Sequence, residues 1–185
     1  MNYYCNATNM HSGGGKTLII DFINGAMAYN NVDFFIYVDS RLSLSFKLPK
    51  HIKLIQVNRF LRLILNFNLI WKIKETDIIV FLGNIPPLIR FRCFCLLLQS
   101  NRFLVEKKST KDLSIKSRIR LFCERLVFNL FVNNVDQVVV QSKSMEEIIN
   151  TNINKKITCK VIAFKNKFSN LIKTSQKKYD FIYIA

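Results

Sequence analysis

Apolar positions along this chain follow two alternating rhythms. Short runs rich in β-branched and aromatic residues recur at "VDFFIYV" (32–38), "IKLIQV" (Ile52–Val57), "DIIVFL" (77–82), residues 94–98, "QVVVQ" (137–141) and residues 157–164. Their composition predicts buried β-strands. Between them the spacing turns helical. Residues 18–29 carry apolar side chains on one broad face, and residues 114–132 read as a long basic helix. Residues 59–74 place Leu61, Leu65, Leu69 and Ile73 four apart behind a capping Asn58, with the leucines expected to face the core. Ser142 is positioned to cap a further helix over 143–151. Strands alternating with helices predict an α/β fold: a Rossmann-like parallel sheet with helices on both faces. Ligands of such sheets gather beyond the carboxyl ends of the strands. That rule selects residues 84–87, 99–102 and 141–143 as loops that would carry a site.

Composition adds a partner class. The chain has 185 residues, enough for one domain with a real core. With 28 Lys and Arg against 12 Asp and Glu it carries a net charge of +16. That excess calls for an acidic partner: a phosphorylated ligand, an anionic membrane surface or nucleic acid. The basic residues gather at Lys107, Lys108, Lys111, Lys116, Arg118, Arg120 and Arg125, and again over 155–178. No helix-turn-helix, zinc-finger or RNP-type motif accompanies them, so no nucleic acid is expected as partner.

Five cysteines (Cys5, Cys93, Cys95, Cys123 and Cys159) are odd in number and lack C-x-x-C spacing. They are expected as buried free thiols, with Cys93 and Cys95 on one face of a strand and no metal site. Residues 1–11 are polar, unlike a signal peptide, and no apolar run reaches the roughly 20 residues of a transmembrane helix. The expected location is the cytoplasm, peripheral on the inner membrane face. Residues 59–74 combine aromatic, apolar and basic side chains, as an interfacial helix on anionic lipid would.

The segment "NMHSGGGKT" (9–17) raises the question of a nucleotide grip. A phosphate-cradling P-loop needs G-x-x-x-x-G-K-[ST] between a buried strand and a helix. Counting back from Gly15, Lys16 and Thr17, Met10 stands where the first glycine belongs. The preceding "NYYCNATNM" reads as a poor strand, and no acidic residue follows 77–82 to hold a metal. The spacing G-x-G-x-x-G fails as well. Three residues without Cβ still precede a helix whose opening N–H groups, expected at 16–18, favour an anion.

Four stretches in this order resemble the N-terminal half of a GT-B glycosyltransferase of the retaining group-four type, found in bacterial O-antigen and capsule assembly. They are "HSGGGKTLIIDFINGA" (11–26), "DIIVFLGNIPPL" (77–88), "LLLQSNRFLV" (96–105) and "DQVVVQSKSMEEII" (136–149). The resemblance covers essentially the whole chain. It implies transfer of a sugar from a nucleotide-sugar donor, a substrate rather than a cofactor, to a lipid-linked or glycan acceptor. Gly13, Gly14, Gly15 and Lys16 would approach the donor diphosphate, and Asn84, Gln99, Asn101 and Arg102 would line the acceptor side of the cleft. It further implies that residues 1–165 form the N-terminal domain. Residues 166–185 would be a basic linker and, in "FIYIA", the first strand of a C-terminal donor domain.

The chain alone is then expected to be incomplete and inactive, its C-terminal half supplied separately if at all. The family's E-x(7)-E element belongs to that half. Neither Glu146 nor Glu147 begins one, since Asn154 and Lys155 stand eight residues on, and no catalytic residue is assigned. The alternative reading is a non-catalytic module binding phosphate or polyanions through its basic surface.

Overall fold

The computed structural model describes residues 1–44, 47–58, 60–106, 113–153 and 157–162. Its seven strands are β1 (Asn2–Ala7), β2 (Asp33–Asp39), β3 (Ile52–Val57), β4 (Ile78–Phe81), β5 (Phe94–Gln99), β6 (Gln137–Val140) and β7 (Thr158–Val161). All pair in parallel, in the order β3-β2-β1-β4-β5-β6-β7. The chain builds outward from β1 in one direction and then returns to build outward in the other. A crevice therefore opens between the ends of β1 and β4, the switch point at which Rossmann-like sheets hold ligands.

Among the described residues five α-helices cover the sheet: α1 (Gly13–Ala26), α2 (Leu61–Lys72), α3 (Arg102–Val105), α4 (Ile115–Phe131) and α5 (Lys143–Asn152). α1 buries Ile19, Ile23 and Ala26 against one sheet face, together with Ile36 and Val38. The other four pack on the opposite face, where Leu65, Leu104, Phe128 and Ile149 meet Ile79, Leu97 and Val138. Right-handed crossovers dictate this division, because the crossovers that build leftward from β1 and those that build rightward must lie on opposite faces. The fold is the Rossmann-like α/β sheet that the alternating pattern predicts.

Several local expectations need correction. "NYYCNATNM" contains β1, the central strand, with Tyr4, Cys5 and Ala7 buried. Its asparagines are tolerated because they sit near the strand ends, where Asn6 bonds locally through its side chain and Asn2 through its backbone to a distant partner. The Asn2 N–H donates to Asp77 Oδ1 at 2.7 Å, and Asn6 Oδ1 accepts from the Thr8 hydroxyl at 2.8 Å. α1 begins at Gly13, earlier than its apolar face, so the glycines form its first turn and the opening N–H groups are theirs. Lys16 is thus not the first helical residue.

In α2, Leu65 and Leu69 are buried but Leu61 is half-exposed, while Asn58 does cap the helix, its Oδ1 accepting from the Leu61 N–H at 2.8 Å. The short α3 has no counterpart in the apolar pattern. Among the cysteines, Cys5, Cys93 and Cys95 are buried, the last two in one cluster on the same sheet face. Cys123 is exposed and Cys159 half-buried, against the expectation of five buried thiols. Residues 166–185, Lys107, Lys108, Lys111 and most of 155–178 lie outside the described residues.

Candidate functional site

Loops from the carboxyl ends of five strands could compete for the crevice between β1 and β4, and side chains decide which enter. The turn after β1 is closed by the Met10 N–H donating to Ala7 O at 3.0 Å. This sends Asn9, Met10 and His11 along the crevice before α1 starts. Met10 itself folds inward, and a Cβ on Gly15 would come within 3.1 Å of its Cβ. Across the crevice Gly83 follows β4, where a Cβ would stand 2.8 Å from Asn9 Cβ. Only glycine lets these two loops approach so closely. Gly13 has φ +56°, a left-handed conformation that glycine adopts freely, whereas a Cβ on Gly14 would meet nothing within 4 Å.

Asn84 joins the loops after β4 and β5. It adopts φ 63°, which asparagine tolerates better than most residues. From there its Oδ1 accepts from the backbone N–H of Ser100 at 2.6 Å, the Ser100 hydroxyl at 2.9 Å and the N–H of Asn101 at 3.0 Å. Asn101 in turn caps α3, its side chain accepting from the Phe103 N–H at 3.1 Å.

The basic side of the crevice is organised by Asp39 at the end of β2. Asp39 is 2% exposed, yet it sits beneath two arginines. Arg41 donates to it through its N–H and Nε, each at 2.9 Å, and through a terminal guanidinium nitrogen at 2.7 Å. Arg62, from α2, pairs with Oδ2, the oxygen that also takes the terminal nitrogen of Arg41, and donates to Asn9 Oδ1 at 3.1 Å. The hydrogen bonds from Arg41 hold the Asp39 carboxyl well below the usual carboxylate range, overriding the upward push of burial. One side chain, Arg62, thereby laces together the loops after β1 and β2.

The result is a cleft of about 450 Å³ lined by Asn9, Met10, His11, Arg41, Arg62, Gly83, Asn84, Ile85 and Asn101, with Leu104, Arg120 and Glu124 closing its far side. Arg120 pairs with Glu124 at 2.7 Å. Three guanidiniums therefore face two carboxylates, and the cleft keeps a net positive charge suited to an anionic ligand. Among the described residues no three His, Cys, Asp or Glu side chains converge as a metal site would require. Both carboxylates are engaged by arginine, and His11 Nδ1 lies 3.3 Å from a guanidinium nitrogen of Arg41.

No family model matches the chain, and neither does any curated protein.

Of the residues singled out from sequence, Asn84 and Asn101 line the cleft. Gln99 does not: it is fully buried, its amide nitrogen donates to Asn101 O at 2.9 Å, and its buried Oε1 has no partner among the described residues. Arg102 is turned away, forming an ion pair with Glu106 at 2.9 Å. Gly13, Gly14, Gly15 and Lys16 form the first turn of α1, directly after the His11 that lines the cleft, but do not line it themselves. Their N-cap Ser12 makes no side-chain capping bond, and no acidic residue occupies the first turn. The opening N–H groups of α1 thus have no partner of that kind.

Residues 141–143 do not reach the cleft. The strand that precedes the glycine loop is real, so the strand–loop–helix setting of a P-loop is present. Met10 still occupies the place of its first glycine, and Gly83 and Asn84 rather than an acidic residue follow β4. The cleft arginines were missed, although the rule that selected Asn84, applied to the end of β2, points to Arg41. Arg62 lies inside α2, beyond the reach of that rule.

Proposed function

We propose that this chain is the acceptor-side domain of a GT-B glycosyltransferase of the retaining group-four type. It would serve transfer of a sugar from a nucleotide-sugar donor to a lipid-linked or glycan acceptor in surface polysaccharide synthesis, at the cytoplasmic face of the membrane. The observation that carries this reading is the cationic cleft at the switch point, opening beside an uncapped helix N-terminus. Transfer of this kind depends on stabilising the departing nucleoside diphosphate as the glycosidic bond breaks. The N–H groups of Gly13, Gly14 and Gly15 would serve the diphosphate, and Arg41, Arg62 and Arg120 an anionic group on the acceptor. Gly14 supports the division. Neither its backbone conformation nor its packing needs a glycine, while a phosphate approaching the backbone would.

Gly14→Ala tests this directly. Its methyl enters open space, so folding stability is expected to hold or rise by up to about 1 kcal/mol. Affinity for uridine and guanosine diphosphate sugars, read by calorimetry on the full chain, is expected to fall about tenfold or more. Gly25→Ala, equally open at the far end of α1, is the control and should leave affinity unchanged. Unchanged affinity in Gly14→Ala, or no binding of any nucleotide sugar even with a donor domain added in trans, would sink the reading. The second reading, a polyanion-binding module, rests on the +16 charge. It predicts instead a steep loss of affinity for polyphosphate as salt rises.

A further inference from the structure

On the sheet face that carries α2 and α4, both helices are apolar on their outer sides as well as their inner ones. α4 buries Leu121 and Phe128 against the sheet, yet Ile115, Ile119, Phe122, Leu126 and Leu130 are all exposed on its opposite side. They recur at intervals of three and four residues and so form one continuous stripe along the helix. α2 packs on the same sheet face through Leu65 and Leu69 and repeats the arrangement. Ile64 and Phe67 face out with Phe60 and Trp71, the last two 84% and 91% exposed. Isolated apolar residues are normal on a surface, but an exposed apolar stripe on each of two helices of one layer marks an interaction face.

Charge selects the occupant. Lys116 and Arg118 flank the α4 stripe, while Arg125 donates inward to the carbonyls of Phe103 and Glu106, and the helix's carboxylate, Glu124, is turned to the cleft and paired with Arg120. A second copy laid stripe on stripe would bring these cations together on chains that each carry +16. An anionic bilayer accepts the apolar side chains at its acyl boundary and sets lipid phosphates beside the cations. We propose that the outer face of α2 and α4 docks on an anionic lipid bilayer, with the α4 stripe seated at the headgroup boundary. Because α4 also contributes Arg120 and Glu124 to the cleft, docking brings the cleft beside the headgroups. The surface does not depend on the transfer reaction: vesicle binding without sugar transfer counts against the proposed activity alone.

Trp71 is the protein's one tryptophan, so its emission reports the docking. Phosphatidylcholine vesicles containing phosphatidylglycerol are expected to shift that emission to the blue. Vesicles of phosphatidylcholine alone should bind at least about tenfold more weakly. The double variant Ile119→Ser/Phe122→Ser changes only exposed side chains, which circular dichroism should confirm as harmless to the fold. It is expected to lose about tenfold or more in affinity for the anionic vesicles. Equal binding by the double variant, equal binding to neutral vesicles, or an unmoved Trp71 spectrum in sedimented protein overturns the proposal. So does a lipid-free dimer that the double variant abolishes.

Discussion

Asp39 carries more of the site than any other side chain, and its position explains why. A bare carboxylate 2% exposed would be costly, so the site exists only because Arg41 and Arg62 satisfy it. Its folded pKa is depressed below the ordinary value of 3.8, chiefly by the hydrogen bonds from Arg41. The ionised form therefore contributes stability above about pH 4, and that contribution is lost as pH falls further. Asp39→Asn is expected to cost about 2 kcal/mol at neutral pH, the scale of hydrogen bonds to a buried charge. It should also flatten the acid limb of the stability profile. Urea unfolding followed from neutral to acid pH checks both, and an unchanged acid limb would assign that limb to other carboxylates. The sequence alone could not reveal this node. Asp39 and Arg62 are 23 residues apart and meet only because β2 and β3 are neighbours in the sheet. Asn84 was easier to see, since its role follows from a local rule about strand ends.

At the level of elements, the strands were legible because a parallel sheet covered on both faces needs uninterrupted apolar runs. β3 has the boundaries its composition predicts, and β2, β4, β5, β6 and β7 overlap theirs. β1 was not legible, because two of its six residues are asparagine, unlike the apolar runs of the other strands. α4 shows a different limit. Its apolar residues lie on two opposite sides, so periodicity gives the helix without saying which side meets the sheet. The structure resolves this: Phe128 is fully buried and Leu130 largely exposed. Phe128→Ala is expected to cost about 3–5 kcal/mol, the sum of lost transfer energy and the cavity left behind. Leu130→Ala, two residues on, should stay within about 0.5 kcal/mol. Thermal unfolding of the two variants measures the contrast, and similar costs would mean that α4 is packed on both sides.

For the whole molecule the governing quantity is charge. With 28 basic against 12 acidic side chains, like charges outnumber their partners, and the folded state holds them closer together than the unfolded chain does. Exposed pairs such as Arg102–Glu106 and Arg120–Glu124 return little, because water screens them and their long side chains must be ordered. Salt therefore acts in two directions. It weakens these exposed pairs, worth at most a few tenths of a kcal/mol each, and it relieves the repulsion summed over the whole surface. The Asp39 cluster, being buried on the carboxylate side, is screened least and should change little. Repulsion dominates the balance, so the melting temperature is expected to rise by a few degrees between roughly 0.02 and 0.2 M sodium chloride. Calorimetry at fixed pH measures this. A fall would mean that specific pairs, not net charge, set the stability, and the excess of lysine and arginine would then have to be held apart by the fold. A rise carries a functional corollary: an anionic partner relieves the same repulsion as salt does, so phosphates at the cleft or lipid at α4 should stabilise the chain most at low ionic strength.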